Sequence, residues 1–274
     1  MLQHYVIICK VLGIQSLSSG SRGNVIYIAS DTTRILVDVG LSLPQLLKRL
    51  NRANIDPNTI DAILVTHEHS DHIFGVEQFL KKFPAKLHLH IDTAHLFQYL
   101  PNDRINHFGS EFQIGDITVD FFPVPHDSQF CFGYNFKQDD VKISLATDLG
   151  RMTDDILKSM SDSQIVLLEC NHDLLKLSHN RKYPHFLKRR ITSSRGHLSN
   201  PCCALAIYQL ATCGVNQFIL AHLSEENNSP TLAYNFVRDF LQTHGIIEGQ
   251  DVWIDVALQN EIGNLFHCTI DRFL

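Results

Sequence analysis

The chain has 274 residues, 44% of them hydrophobic and 19% charged, with a formal net charge of −6. That balance fits a globular protein with one large core or two fused halves, and it excludes a disordered or low-complexity chain. No run approaches the roughly 18 to 20 apolar residues of a membrane span, and the net negative charge argues mildly against a polyanionic substrate. The first 13 residues hold a short apolar run at 5–9 without a basic lead, a long apolar region or a small-residue cleavage site, so no signal peptide is read. Seven cysteines, Cys9, Cys131, Cys170, Cys202, Cys203, Cys213 and Cys268, form an odd set without C-x-x-C pairs. They read as reduced, mostly buried thiols, and the expected compartment is the cytoplasm.

Residues 11–17 read as the first strand, and the Ser/Gly/Asn-rich turn at 18–24 leads into a second strand at 25–29. Backbone N–H groups of that turn could meet a phosphate, which makes Ser21 and Asn24 candidate substrate contacts. A third strand, 34–37, runs into Asp38, and the meander feeds a helix over 44–51. An acid closing a buried strand is expensive unless something holds it, so Asp38 is expected to accept hydrogen bonds from a neighbouring ligand loop. That loop follows a buried strand at 60–66 and reads His67-Glu68-His69-Ser70-Asp71-His72. Ile73, Val76, Phe79 and Leu80 then mark a helix over 73–83. Three imidazoles and a carboxylate on a strand-to-helix loop suit Zn²⁺, Mn²⁺ or Fe, and their spacing suits a pair of ions.

Further on, 87–90 alternates like a strand and 93–99 looks helical, while His88, His90, His95 and His107 lack ligand-like neighbours and read as structural or surface residues. The strand at 117–122 precedes His126, that at 142–147 precedes Asp148, and that at 217–221 precedes His222. Another, at 163–170, ends in Glu169-Cys170-Asn171-His172-Asp173. Taken singly, His126, Asp148 and His222 each fit a hydrogen-bonded turn residue. Together they form a second series of metal-type side chains at the ends of apolar strands.

The order H-x-H-x-D-H, His, Asp, His resembles the signature of the metallo-β-lactamase fold hydrolases. The resemblance implies an α+β, four-layer αβ/βα sandwich, here as a single domain over 1–274. It also implies that His67, His69 and His126 hold one ion, that Asp71, His72 and His222 hold another, and that Asp148 bridges them. A carboxylate at 148 speaks against an antibiotic hydrolase, and 21 residues between His126 and Asp148 leave no room for an RNase Z-type arm. The 73 residues between Asp148 and His222 are too few for the inserted domain of RNase J-like nucleases. Residues 19–24, 169–173, 195–200 and 222–224 with Asn227 and Asn228 resemble the YycJ/WalJ-type group, which implies a 5′→3′ DNA exonuclease. Gly196-His197-Leu198-Ser199 further resembles a helix start of RNase Z-type enzymes, where the histidine assists phosphodiester cleavage. His197 is then the expected catalytic partner of Asp71, with His172 and Asp173 as its support and Ser199 or Asn200 as the helix cap.

Charge distribution bears on the substrate. Residues 174–224 contain no acid but seven bases, Lys176, Arg181, Lys182, Lys188, Arg189, Arg190 and Arg195. Taking those from the 23 basic residues leaves 16 against 29 acidic ones, so the segment carries +7 and the rest −13. Lys188, Arg189, Arg190 and Arg195 are the expected nucleic-acid contacts. The resulting expectation is a phosphodiesterase, read as a DNA exonuclease, using a hydroxide activated by two divalent transition-metal ions. A small-substrate ester, thioester or cyclic phosphodiester hydrolase of the same fold, and a non-enzymatic binding scaffold, are the alternatives.

Overall fold

A computed structural model describes residues 7–273, in which fourteen strands form two sheets of seven. The first sheet holds β1 (Ile7–Ser18), β2 (Val25–Ala29), β3 (Arg34–Val37), β4 (Ala62–Leu64), β5 (Lys86–His90) and β6 (Ile105–Phe108). The second holds β7 (Phe112–Ile114), β8 (Ile117–Pro123), β9 (Phe132–Gln138), β10 (Val141–Ala146), β11 (Ile165–Glu169), β12 (Gln217–Ala221) and β13 (Trp253–Val256). The last strand, β14 (Leu265–Phe273), returns to the first sheet and pairs antiparallel with β1. Each sheet is an antiparallel meander that turns into a parallel run, β3 to β6 in one and β10 to β13 in the other.

The parallel strands are buried on both faces, which is why they read as unbroken apolar runs. Ile35, Val37, Ile165, Leu167 and Ile219 point between the sheets, where they meet Ile14, Ile28, Tyr134, Phe136 and Ile143. The alternate residues point outward. Leu36, Ile63 and Leu87 pack on Leu46 and Leu50 of α1 (Leu43–Arg52) and on Phe79 and Leu80 of α3 (Val76–Lys82), with the single turn α2 (Ser70–Ile73) just ahead. Val166, Leu168, Phe218 and Leu220 pack on α4 (Asp154–Met160), α7 (Asn200–Thr212) and α8 (Pro230–Thr243). The layers are thus helix, sheet, sheet, helix, an αβ/βα sandwich. Two short helices, α5 (Leu174–His179) and α6 (His185–Ile191), fill the connection between β11 and α7.

Several local expectations change. The helix over 73–83 is two pieces broken at Gly75, where a Cβ would lie 2.1 Å from the Leu41 carbonyl oxygen, so the chain folds under α1's approach there. The helical stretch near 93–99 is a 3₁₀ segment, Ile91–Phe97. Three of the thiols, Cys131, Cys170 and Cys203, are buried, whereas Cys202, on the outer face of α7, and Cys213, just past its end, are exposed; the side chain of Cys9 and the start of the 5–9 apolar run lie outside the described residues. Among the described residues no helix is long and apolar enough to cross a membrane.

At the end of the sandwich away from the strand termini that matter below, Asp116 in the β7–β8 turn accepts hydrogen bonds from Ser30 (2.5 Å) and Thr33 (2.6 Å) of the β2–β3 turn and from Gln138 (2.7 Å). Partial burial pushes its carboxyl up, but these donors override it and hold it below the usual range. Asp116→Ala should therefore cost about 1–2 kcal/mol of stability near neutral pH, because partly buried donors of both sheets lose their acceptor. A depressed folded-state value means the contribution is present above the unfolded carboxyl value and lost as pH falls through the folded one. Urea denaturation of the two proteins should give curves that converge below about pH 4. A constant gap down to pH 2 would contradict the ionised role of Asp116.

Candidate metal centre

Asp38 and His222 each follow the last residue of a parallel strand and Asp148 stands two residues beyond one, and each has a left-handed backbone, with φ of 61°, 53° and 57° respectively for Asp38, His222 and Asp148. Non-glycine residues rarely adopt this conformation, and it persists where surrounding contacts enforce it. Its effect is to swing three side chains out of strand direction into the crevice beyond the carboxyl ends, the usual ligand position in open parallel sheets. The 67–72 loop follows β4 into the same crevice, and Gly40 lets the segment after β3 pass so closely that a Cβ would meet the Asp71 carbonyl oxygen at 1.7 Å. His126 arrives from β8.

The histidine hydrogen bonds sort the ring nitrogens. His72 Nδ1 lies 2.7 Å from Asp38, His126 Nδ1 3.1 Å from the Gly196 carbonyl, and His222 Nδ1 2.8 Å from Glu169. His67 Nδ1 lies 3.0 Å from the Thr66 hydroxyl, which itself donates to Asp38 at 2.9 Å. Those acceptors place the proton on Nδ1 in each ring and leave Nε2 as a lone pair. The Nε2 atoms of His67 and His222 and Oδ2 of Asp148 are buried without a protein hydrogen bond. His126 Nε2 faces His69 Nδ1 at 3.3 Å. Buried lone pairs turned toward one another are unfavourable unless a cation lies among them.

Their ligand atoms group accordingly. His67, His69 and His126 form one set within 4.8 Å, Asp71, His72 and His222 another, and Asp148 joins His67 and His72 in a third. Neutral imidazoles with carboxylates are the donor set of Zn²⁺, Mn²⁺ or Fe, so the residues fit divalent transition-metal ions.

Around the ligands, Asp38 accepts from Thr66 N–H at 2.8 Å as well as from the two side chains above. Glu169, not singled out from the sequence, is the hub on the opposite side. One carboxylate oxygen accepts from His197 Nδ1 and His222 Nδ1, both at 2.8 Å, and the other from the Leu149 and Leu198 N–H groups, both at 3.0 Å. Burial pushes this acid up, but the His197 and His222 contacts hold it down to about 2. It was detectable by the same rule that flagged Asp38, an acid closing a buried strand. His197 sits 3.6 Å from Asp148 Oδ1 with 22% of its side chain exposed. Burial lowers its imidazole, yet Glu169 and Asp148 raise it above the ordinary value.

Other expected site residues land elsewhere. Asn24 is buried, spends Oδ1 on Gly20 N–H at 2.8 Å and sets its amide 3.1 Å from His72 Nε2 and 3.4 Å from Asp71, so it supports ligands instead of meeting substrate. Ser21 stays on the exposed turn. Asp173 caps α5, accepting from Lys176 N–H at 2.7 Å. His172 is buried with neither ring nitrogen bonded; burial holds it down to about 4, and its carbonyl receives Asn200 N–H at the start of α7, whose cap is Ser199. The bases of the acid-free segment are not equally free. Lys188 donates to the Ser178 carbonyl, Lys176 to that of Asn228, Lys182 pairs with Glu226, and Arg195 clamps the His126 and Ser128 carbonyls at 2.8 and 3.2 Å. Unpaired loop carbonyls capture nearby cations, a use of charge that composition does not reveal. Arg190 pairs with Asp127, whose other oxygen is 3.3 Å from His126 Nε2, while Arg181 and Arg189 are exposed and have no ion-pair or hydrogen-bond partner among the described residues.

A four-layer sandwich with this ligand cluster at the strand termini defines a metallo-β-lactamase-fold hydrolase. The Beta-lactamase superfamily domain model matches residues 33–223. By its relatives the chain belongs, more narrowly, to the YycJ/WalJ family: it is 35% identical over 240 residues to exodeoxyribonuclease YycJ of Bacillus anthracis, covering 85% of this chain and 90% of that one. Exodeoxyribonuclease WalJ of Streptococcus pneumoniae is 35% identical over 229 residues, covering 80% and 84%. In structure the chain is similar to the metallo-β-lactamase fold protein YhfI of Bacillus subtilis, with a TM-score of 0.72, 14% identity and coverage of 94% and 100%.

Proposed function

We propose that this protein is a cytoplasmic metal-dependent DNA exonuclease whose centre takes two divalent ions, zinc or manganese. The observation that carries the reading is the set of ligand atoms converging from four strand ends, several of them buried without a protein partner, in a chain 35% identical to exodeoxyribonucleases. The ions, when bound, supply a hydroxide nucleophile near neutral pH and offset charge on the phosphate. The chain's own residues do the rest. Asp38 and Glu169 hold His72 and His222 in one tautomer. Asp71, burial notwithstanding, is kept ionised by His222 and His72, so its carboxylate stands ready to orient an attacking water. His197, tethered through Nδ1 to Glu169, presents its other nitrogen as the acid for the leaving oxygen.

Elemental analysis of the purified protein should find up to two transition-metal ions per chain, and chelation should abolish hydrolysis until Mn²⁺ or Zn²⁺ is returned. Assayed in parallel on bis-p-nitrophenyl phosphate, a thioester, and 5′-labelled single- and double-stranded DNA, it should release nucleotides from DNA. Thioester hydrolysis without DNA cleavage would overturn the reading in favour of a small-substrate hydrolase.

A further inference from the structure

We infer that the helical hairpin at 174–191 is a stacking platform that receives single-stranded nucleic acid at the mouth of the metal centre; this rests on the nuclease reading above. The hairpin is rooted in the centre at both ends. It leaves the chain just after Glu169 and rejoins it just before His197, and these two residues hydrogen-bond each other at 2.8 Å. Its return is pinned by His197 N–H on the Ile191 carbonyl at 2.9 Å, and its helices are joined by Lys188 on the Ser178 carbonyl at 2.7 Å.

What it displays is unusual for a solvated loop. Phe186 is 68% exposed and Leu175 69%, and neither belongs to any of the core clusters. On α6, Phe186, Arg189 and Arg190 are spaced i, i+3 and i+4, which puts them on one helix face. The end of that face is located: Arg190 pairs with Asp127, beside His126 and His69. Phe186 therefore stands about one helical turn, roughly 5.4 Å, up the helix from a contact with the ligand loop. An exposed aromatic ring flanked by an unpaired guanidinium, Arg189, fits a nucleobase over the ring and a phosphate on the charge. No acid occurs between 174 and 224, so a polyanion meets no repulsion along the hairpin's own sequence. Duplex bases are already stacked and have no face to offer, so the platform selects an unpaired strand.

Full-length wild type, Phe186→Ala, Phe186→Leu, Phe186→Trp and Arg189→Ala should be compared by fluorescence anisotropy on an oligothymidylate and on a blunt duplex. Turnover of bis-p-nitrophenyl phosphate and sedimentation should be measured alongside. Phe186→Ala is expected to weaken single-strand binding about tenfold, Phe186→Leu to behave like it, and Phe186→Trp to restore affinity, with small-diester turnover unchanged throughout. Arg189→Ala should reduce the salt slope by about 0.7 on the single strand. Wild-type affinity in Phe186→Ala, or in Phe186→Leu, would overturn the platform, the second because an apolar contact would then suffice without stacking. Loss of a dimer in Phe186→Ala would also overturn it, assigning the ring to a second copy of the chain. Wild type that cuts DNA while all four variants match it sinks only this inference; wild type that cuts no DNA sinks the nuclease reading as well.

Discussion

Replacing Asp148 by Asn should reduce hydrolysis of any substrate by on the order of 10³-fold or more, since several kcal/mol of charge stabilisation is at stake and about 1.4 kcal/mol corresponds to tenfold. The argument is geometric. Asp148 Oδ2 is 3.1 Å from His72 Nε2, and its Oδ1 is 3.9 Å from His126 Nε2 and 3.4 Å from His222 Nδ1, so this one carboxylate borders both ligand sets. An amide of the same shape offers one weak acceptor in place of two charged oxygens. Metal content should fall with activity, and His67→Ala, which removes a donor of the set with His69 and His126, should do the same. Both variants should remain folded by circular dichroism, because the strand cores beneath them are untouched. Full metal content and normal turnover in Asp148→Asn would contradict a role for this carboxylate in the metal centre.

The positions of the clustered histidines and acids were readable in the sequence because strands buried on both faces appear as unbroken apolar runs, and such runs have visible ends. Asp38, the 67–72 loop, Asp148 and His222 all stand at those ends, so position along the chain nearly gave position in space. Glu169 obeys the same rule, but His172 and Asp173 beside it make the more metal-like local pattern. What the sequence could not carry was pairing across the fold. Arg195 and Lys188 read as free charge, but each meets carbonyls that no local pattern foretells, and Asp173 reads as site support where a helix start needed a cap. β9 does alternate, Phe132, Tyr134 and Phe136 against Gly133, Asn135 and Lys137, whereas β6 and β7, four and three residues long, are too short for a period to show. The two-sheet topology came from family resemblance and not from periodicity.

His197→Ala should lower turnover of a nucleic-acid substrate by about 10²- to 10⁴-fold, the usual range for a general acid, with metal content close to normal. Its Nδ1 is committed to Glu169, so the ring is oriented without being needed by the ions. Proton donation matters only when the leaving oxygen is a poor leaving group. On bis-p-nitrophenyl phosphate, whose phenolate departs unaided, the same variant should lose far less. Glu169→Gln makes the complementary case. A glutamine keeps one acceptor for His197 and His222, but its NH₂ must face the Leu149 and Leu198 N–H groups, so stability should fall by about 1–3 kcal/mol together with activity on both substrates. If His197→Ala instead lost equal factors on DNA and on the activated diester, proton transfer to the leaving group would be excluded, and the histidine would act by positioning the phosphate beside Asp148.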